Sequence, residues 1–589
     1  MATAHHTDPQ NLPIPGTIVL VDVDGGLAAE QHAEAASDII LSPVPSNDVN
    51  DPLRWTHRRK MLQVAMLVIY TLATGMATAS LYSVLTPISE STGIPVSTLN
   101  AGTGYMFLLL GWGALITQPL ALTFGKRPVY LITGLCHLAT VFWMIWIKTE
   151  SQWLANKVLQ GFFAAPIESL VEISFADVFY AHERGFYIGL YGMALFTSNF
   201  IAPIWAGFVN DALGYKWVFW VSAIELAVGL VILFLFLEEV SKEIGIGESC
   251  EAIVPGGPSF TRGSHESFAG KALTIQTNFD RGTTELAEKH TVDRDSTQTD
   301  VEIIGEGKSV TSAGKVEEKW SENVSIPVYQ HLYGTPYTWP QRLRLFRRRW
   351  LSYKTMFTMM YRPLLLLRFP VVVWSGFIYG AALVWFNVLN ATSSMIFTGT
   401  YNFSASMVGL TYFGPTIGAI LAWVWSGWVS DKFSIFFARR NKGVREPEER
   451  LWLLTMNTIV LPAGLILWGV GAAHHVHWFG LVVGFMLIAF TSATGGAFAI
   501  SYALDSYKDL GGEVMVTVMI IRNSLSFAIG YGITPWLTMG YQNTFITAAM
   551  VGMAIYASFL MVVKYGKAWR SKSRKAYWGY VQTSVMAGH

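Results

Sequence analysis

Long apolar runs alternate with short polar breaks along most of the chain. The runs cover about residues 61–85, 101–122, 128–147, 153–178, 185–209 and 217–237. After a long polar interval they resume at 369–389, 407–429, 451–470, 478–503, 515–539 and 545–563. Each approaches or exceeds the roughly 20 residues that carry a helix across a hydrocarbon core of about 30 Å. A backbone in lipid must satisfy its own hydrogen bonds, and the runs lack the alternation of a membrane barrel, so helices are predicted. The pattern reads as an all-α integral membrane protein, with two groups of six spans (61–238 and 369–563). A polar tail (1–60), a central loop (239–368) and a basic tail (564–589) complete it.

Composition agrees. The 589 residues are 52% hydrophobic and 14% charged, with 41 basic against 40 acidic residues. Ordinary soluble proteins carry about 25% charge. This balance excludes a charge-driven nucleic-acid binder, and two cysteines exclude a disulfide scaffold. The start of the chain lacks the apolar core of a cleaved secretory signal.

Lysine and arginine placement predicts orientation. The loops 86–100 and 391–406 contain neither residue. The other side collects Lys126, Arg127, Arg184, a cluster from Lys432 to Arg450, and the tail from Lys564 to Lys575. Both termini are therefore expected in the cytoplasm. In the central loop, 239–322 holds 16 acidic and 9 basic residues and is expected to be disordered. Residues 342–368 carry eight basic residues and no acid. They read either as an amphipathic helix on an anionic leaflet or as orientation charge before span seven.

Polar groups at membrane depth are costly and are therefore candidates for function. Span four carries Glu168 and Glu172, whose spacing puts both on one helical face. Such a pair suits a proton carrier or the binding of an organic cation; an ion pair with Arg522 of span eleven is the structural alternative. Lys157 and Gln160 lie one or two turns earlier. Glu225 in span six is either a site residue or a partner for a neighbouring hydroxyl. Tyr379, Asn387 and Asn390 in span seven and Asn523 in span eleven are cavity candidates. Asp505 ends span ten as a gate, a helix-end charge or a substrate contact. Pro203 and Gly207 lie in a small-residue stripe of span five suited to close packing. His474, His475 and His477 read as a solvated turn rather than a metal site, and no phosphate loop is present. Asn402-Phe-Ser404 is a glycosylation sequon on a predicted external loop.

These motifs carry a family resemblance. Gln118 to Arg127, with Gly125, Lys126 and Arg127, resembles the loop signature of the major facilitator superfamily, with Leu122 where the family has Asp. Gly427-Trp-Val-Ser-Asp431-Lys432 resembles its second-half counterpart. Lys157-Val-Leu-Gln160-Gly161 is similar to the motif in which an Arg couples proton movement, here with Lys. Gly189 to Gly207, including Ala202-Pro203, resembles the antiporter motif, with Ser198, Ala202 and Ala206 replacing three glycines. Asn47 to Trp55, His182 to Gly185 and Pro447 to Leu451 look like the fungal twelve-helix drug:proton antiporter branch. Ala165-Pro-x-Glu168, Tyr502-x-x-Asp505-Ser-Tyr507 and Arg522-Asn523 are similar to its sub-branch of histidinol and polyamine transporters.

The resemblance implies a secondary transporter, not an enzyme, with a site between two bundles near the bilayer midplane. It implies proton-coupled efflux of a small amphiphilic or cationic compound, with Glu168, Glu172 and Lys157 in coupling. Gly125, Lys126, Arg127, Pro203, Gly207, Asp431 and Arg522 are implied in gating. Proton-driven uptake of a cation such as a polyamine is the close alternative; a membrane sensor using the central loop is another. No cofactor is expected beyond an ion gradient. The expected partners are a small-molecule substrate and the bilayer of the plasma membrane, with no nucleic acid and no obligate protein.

Overall fold

Because lipid offers no hydrogen bonds, the described residues fold almost entirely into helices. The computed structural model describes residues 14–19, 32–33, 37–40, 49–240, 337–345, 353–441 and 444–586. Both bundles belong to one unit, 1–249 with 331–589; the second unit, 250–330, lies outside the described residues. So does the acidic stretch read above as disordered, except its first two residues, Glu239 and Val240, which are ordered. Among the described residues, eleven helices are long and apolar enough to cross a membrane. The third predicted span is Lys126–Met144, a 19-residue helix that opens on Lys-Arg-Pro and carries His137, so it falls short on hydropathy. With it, all twelve predicted spans are helical.

Three boundaries differ from the sequence reading. The first helix, His57–Ala79, begins and ends earlier, and a short helix, Leu85–Thr92, follows it. Span seven runs to Tyr401 (Pro370–Tyr401), and only Asn402 to Ser404 separate it from the next helix. Its polar run bonds back onto the helix: Thr392 Oγ1 donates to the Val388 carbonyl at 2.8 Å and Ser393 Oγ to that of Asn390 at 3.2 Å. After span twelve (Tyr541–Ala557), the basic tail continues as a helix, Phe559–Met586.

Span four is broken. Glu150–Ala164 stops at Ala165, and Pro166 opens a second helix, Pro166–Val178. Proline suits a first helical position because its missing N–H has no intrahelical partner there. This places Glu168 in the first turn of the new helix, where the positive end of the helix dipole favours a carboxylate.

Two antiparallel seams join the bundles. In one, span two (Val96–Phe124) lies along span eleven (Gly511–Leu537). Gly530 faces Gly104, where a Cβ would stand 2.8 Å from the Gly104 Cα. Gly111 faces Asn523 and Gly512 faces Gln118. In the other, span five (Ala181–Leu213) lies along the two helices that begin span eight, Ala405–Thr411 and Phe413–Val424. A Cβ on Gly409 would stand 2.6 Å from the Pro203 carbonyl oxygen, Gly207 packs on Ala405, and Gly189 faces Trp423. Both seams are thus in contact near each end.

Ion pairs gather at the basic end. Glu239 accepts from the backbone N–H groups of Lys126 (3.0 Å) and Arg127 (2.9 Å), capping the third span. Glu238 pairs with Arg59. In the second bundle, buried Arg570 bonds Glu446 at 2.6 Å and Glu448 at 2.7 Å. Its Nη1 also donates to the Pro15 carbonyl at 2.6 Å. Beside it, Ile18–Val19 pairs antiparallel with Val444–Arg445. The amino-terminal strap therefore lies on the second bundle. Of the basic segment 342–368, Tyr353–Leu365 is a helix with Phe357 and Tyr361 exposed; residues 346–352 lie outside the described residues.

Candidate functional site

The break at Pro166 turns Glu168 towards the second bundle, where Arg522 meets it in an ion pair. Both side chains are buried, at 4% and 3% exposure. Asn523 Nδ2 donates to the other carboxylate oxygen at 2.8 Å. Arg522 Nη1 donates to the Tyr379 hydroxyl at 2.8 Å, and its guanidinium carbon lies 4.6 Å from the Tyr379 ring centroid. Arg522 Nη2 also reaches Asn523 Oδ1 at 3.2 Å. One acid of the first bundle is thereby held by two residues of the second, Arg522 and Asn523, with Tyr379 bonding Arg522 behind them. Dry surroundings strengthen these charge-assisted bonds and raise the cost of losing any one of them.

The junction borders a cavity of about 60 Å³, lined also by Phe107, Asn199, Phe386 and Ser492. Glu172, one turn below Glu168, is buried at 6% exposure. Among the described residues its carboxyl makes no hydrogen bond or ion pair; Tyr191 and Tyr379 are within electrostatic range. The sequence alternative for the acidic pair thus holds for one member: Glu168 is committed to Arg522, and Glu172 is solitary.

The remaining candidates separate. Lys157 is fully buried between spans three and four, with Nζ 2.7 Å from Gln160 Oε1 and 4.8 Å from the Trp153 ring centroid. Gln160 Nε2 lies 3.5 Å from His137 Nε2. Eleven residues, about 16 Å at helical rise, and the break at Ala165 part Lys157 from Glu168. Lys157 and Gln160 therefore form a pocket of the first bundle and line neither cavity described here. Glu225 is half-buried, without a hydrogen bond or ion pair among the described residues, and likewise lines neither. Asp505 sits at the basic end, paired with Arg445 at 2.6 Å, so it is a helix-end charge rather than a cavity residue. Asn387 and Asn390 line a second cavity.

Of the gating candidates, Gly125 makes the turn between spans two and three at φ +105°. Lys126 pairs with Asp177 at 2.6 Å, and Arg127 donates to the Phe234 carbonyl at 2.6 Å. Pro203 and Gly207 lie in the second seam. Asp431 falls in the helix Ser430–Arg440, and its side chain is outside the described residues. Asn402 is exposed in a left-handed turn with φ 54°. Sequence reasoning passed over Glu238, Glu239, Arg570 and Phe107; the acidic doublet closing span six was the available signal for the first two.

Comparisons with known proteins agree with this architecture. The sequence model described as "Major Facilitator Superfamily" matches residues 67–445. The chain is 27% identical to Protein HOL1 of Saccharomyces cerevisiae, over 96% of each chain. It is 26% identical to an uncharacterized transporter of this type from Schizosaccharomyces pombe, over 96% of this chain and 94% of that protein. It is 24% identical to the MFS antiporter QDR3 of Candida albicans, over 85% and 76%. Among solved structures, the proton:xylose symporter XylE superposes with a TM-score of 0.52 at 10% identity, covering 86% of this chain and 97% of that one. Six helices, a long break and six more, matched by the family model over nearly all of the first bundle and the first two spans of the second, make this chain a member of the major facilitator superfamily, a multi-pass membrane transporter and not an enzyme.

Proposed function

We propose that the protein exchanges protons for a small organic cation or cationic amphiphile, exporting it across the plasma membrane with both termini in the cytoplasm. The carrying observation is the contrast within span four: Glu168 ion-paired across the halves beside a cavity, and Glu172 buried one turn away with no countercharge among the described residues. A buried unbalanced carboxylate is expensive, and a proton or a cation balances it. A cation entering the cavity competes with Arg522 for Glu168. A proton on Glu168 likewise frees Arg522, which Tyr379 and Asn523 still hold within its own half. Either event removes the cross-half charge bond, and alternation between two arrangements follows from which occupant is present. Lysine and arginine placement and the exposed Asn402 sequon at the opposite end support the orientation. The antiporter named among the relatives supports export.

The test is transport in proteoliposomes with an imposed pH gradient, using labelled organic cations on either side. Expected is proton-driven movement of cation that Glu172→Gln uncouples and Glu168→Gln abolishes. Gradient-driven transport unchanged in both variants overturns the mechanism. Cation moving with the proton rather than against it replaces export by uptake.

A further inference from the structure

Phe107 borders two cavities of different chemistry. One contains the Glu168–Arg522 pair. The other, nearer the Asn402 end, has about 20 Å³ of space and is lined by Tyr82, Asn100, Asn387, Asn390 and Ser526 among others, with no acid or base of the Asp, Glu, Lys, Arg or His type. Its polar groups are underused. Among the described residues, neither the amide nitrogen nor the amide oxygen of Asn387 has a hydrogen-bond partner, and the Asn390 amide nitrogen and Ser526 hydroxyl also lack one. Asn390 Oδ1 alone is engaged, accepting from the Tyr412 hydroxyl at 3.1 Å. Asn390 and Ser526 are 1% and 0% exposed, Asn387 9%.

Buried amides and hydroxyls without partners are costly, so such a cluster calls for an occupant. The space suits one water, and a water needs two to four polar partners, which these side chains supply. A ligand group that reproduces those bonds can displace the water, whereas a methyl group cannot. The lining offers donors and acceptors but no fixed charge.

We propose that this cavity is a second substrate subsite, taking the uncharged hydrogen-bonding end, a hydroxyl or amide, of an elongated cation whose charged end reaches the Glu168 cavity. Phe107 lies against the apolar link between the two ends. Asn387, Asn390 and Ser526 determine specificity; they play no part in proton coupling. The inference rests on the organic-cation reading above.

The experiment measures uptake into proteoliposomes of labelled ω-amino alcohols, from propyl to octyl, against alkylamines in which a methyl group replaces the hydroxyl. Expected is a KM at least about tenfold lower for the amino alcohol at the matching length, the worth of one satisfied hydrogen bond. Asn387→Leu and Ser526→Ala each abolish that preference by raising the KM of the amino alcohol to that of the alkylamine or above. A preference retained in both variants, or absent from the unaltered protein while alkylamines are transported, overturns the subsite. If the unaltered protein moves neither series, the cation reading itself is overturned, and the subsite with it.

Discussion

The two seams solve the same packing problem with different materials. The seam of span five with span eight is built from close backbone contact: Gly409 against Pro203 and Gly207 against Ala405. The seam of span two with span eleven has glycine contacts near its ends and polar residues in its middle, where Asn523 packs against Gly111 and bonds Glu168. In lipid, helices gain nothing from the hydrophobic effect, so close approach and hydrogen bonds hold them together. The small-residue seam lets the halves slide or tilt without electrical consequence. The polar seam makes the same movement depend on charge.

The largest expected effect comes from cutting the polar seam on one side only. Arg522→Met leaves Glu168 buried without its countercharge, and breaking a buried pair in this way costs about 3–5 kcal/mol. Thermal unfolding in detergent should fall sharply and transport should vanish. The double variant Glu168→Gln with Arg522→Met should recover most of the stability but none of the proton coupling. Stability that stays low in the double variant would show that the network matters for more than its charges.

Overfilling the other seam comes next. Gly207→Val forces a branched side chain onto the Ala405 backbone, an overpacking worth about 1–3 kcal/mol. Transport should slow with the pH dependence of coupling unchanged, because no titratable group of the junction is touched. A shifted pH profile would erase the distinction between the seams.

Acid sharpens the contrast at the basic end. Burial pushes the Glu446 carboxyl up, but the Lys567 and Arg570 bonds outweigh it and leave it below its ordinary value of 4.5. A depressed carboxyl stabilises the fold above the ordinary carboxylate range and loses that contribution as pH falls through its own lower value. Limited proteolysis near Thr17 should therefore accelerate only below about pH 4.5, and Glu446→Gln should remove the dependence. The smallest effect is expected for Asp505→Asn, since a partly exposed pair with Arg445 contributes about 0–1 kcal/mol; transport should change by no more than a few-fold.

The spans are legible in the sequence because length and hydropathy act locally. The third span shows the limit: Lys126, Arg127 and His137 dilute it, and its place rests on Glu239, which caps it from 112 residues away. Serine and threonine after Asn390 look like a loop and prove helical because their hydroxyls return to the helix carbonyls. In the site, Glu168, Tyr379, Arg522 and Asn523 all stand out as polar groups at membrane depth. Of their union only the Glu168–Arg522 pair is legible, as one of two alternatives; the Asn523–Glu168 bond, which joins residues 355 apart, and the Tyr379–Arg522 bond are not. Lys157 and Gln160 share span four with Glu168, yet turn into their own bundle. Phe107 gave no signal, being one aromatic among 35 Phe.

The docked strap closes a very long loop. Arg570 grips Pro15 across 555 residues, so two segments far apart in the sequence share an anchor on the second bundle. A load or label fixed to the amino terminus is thereby felt first by the half that the ribosome makes last. The anchor cannot form until Arg570 has been synthesised.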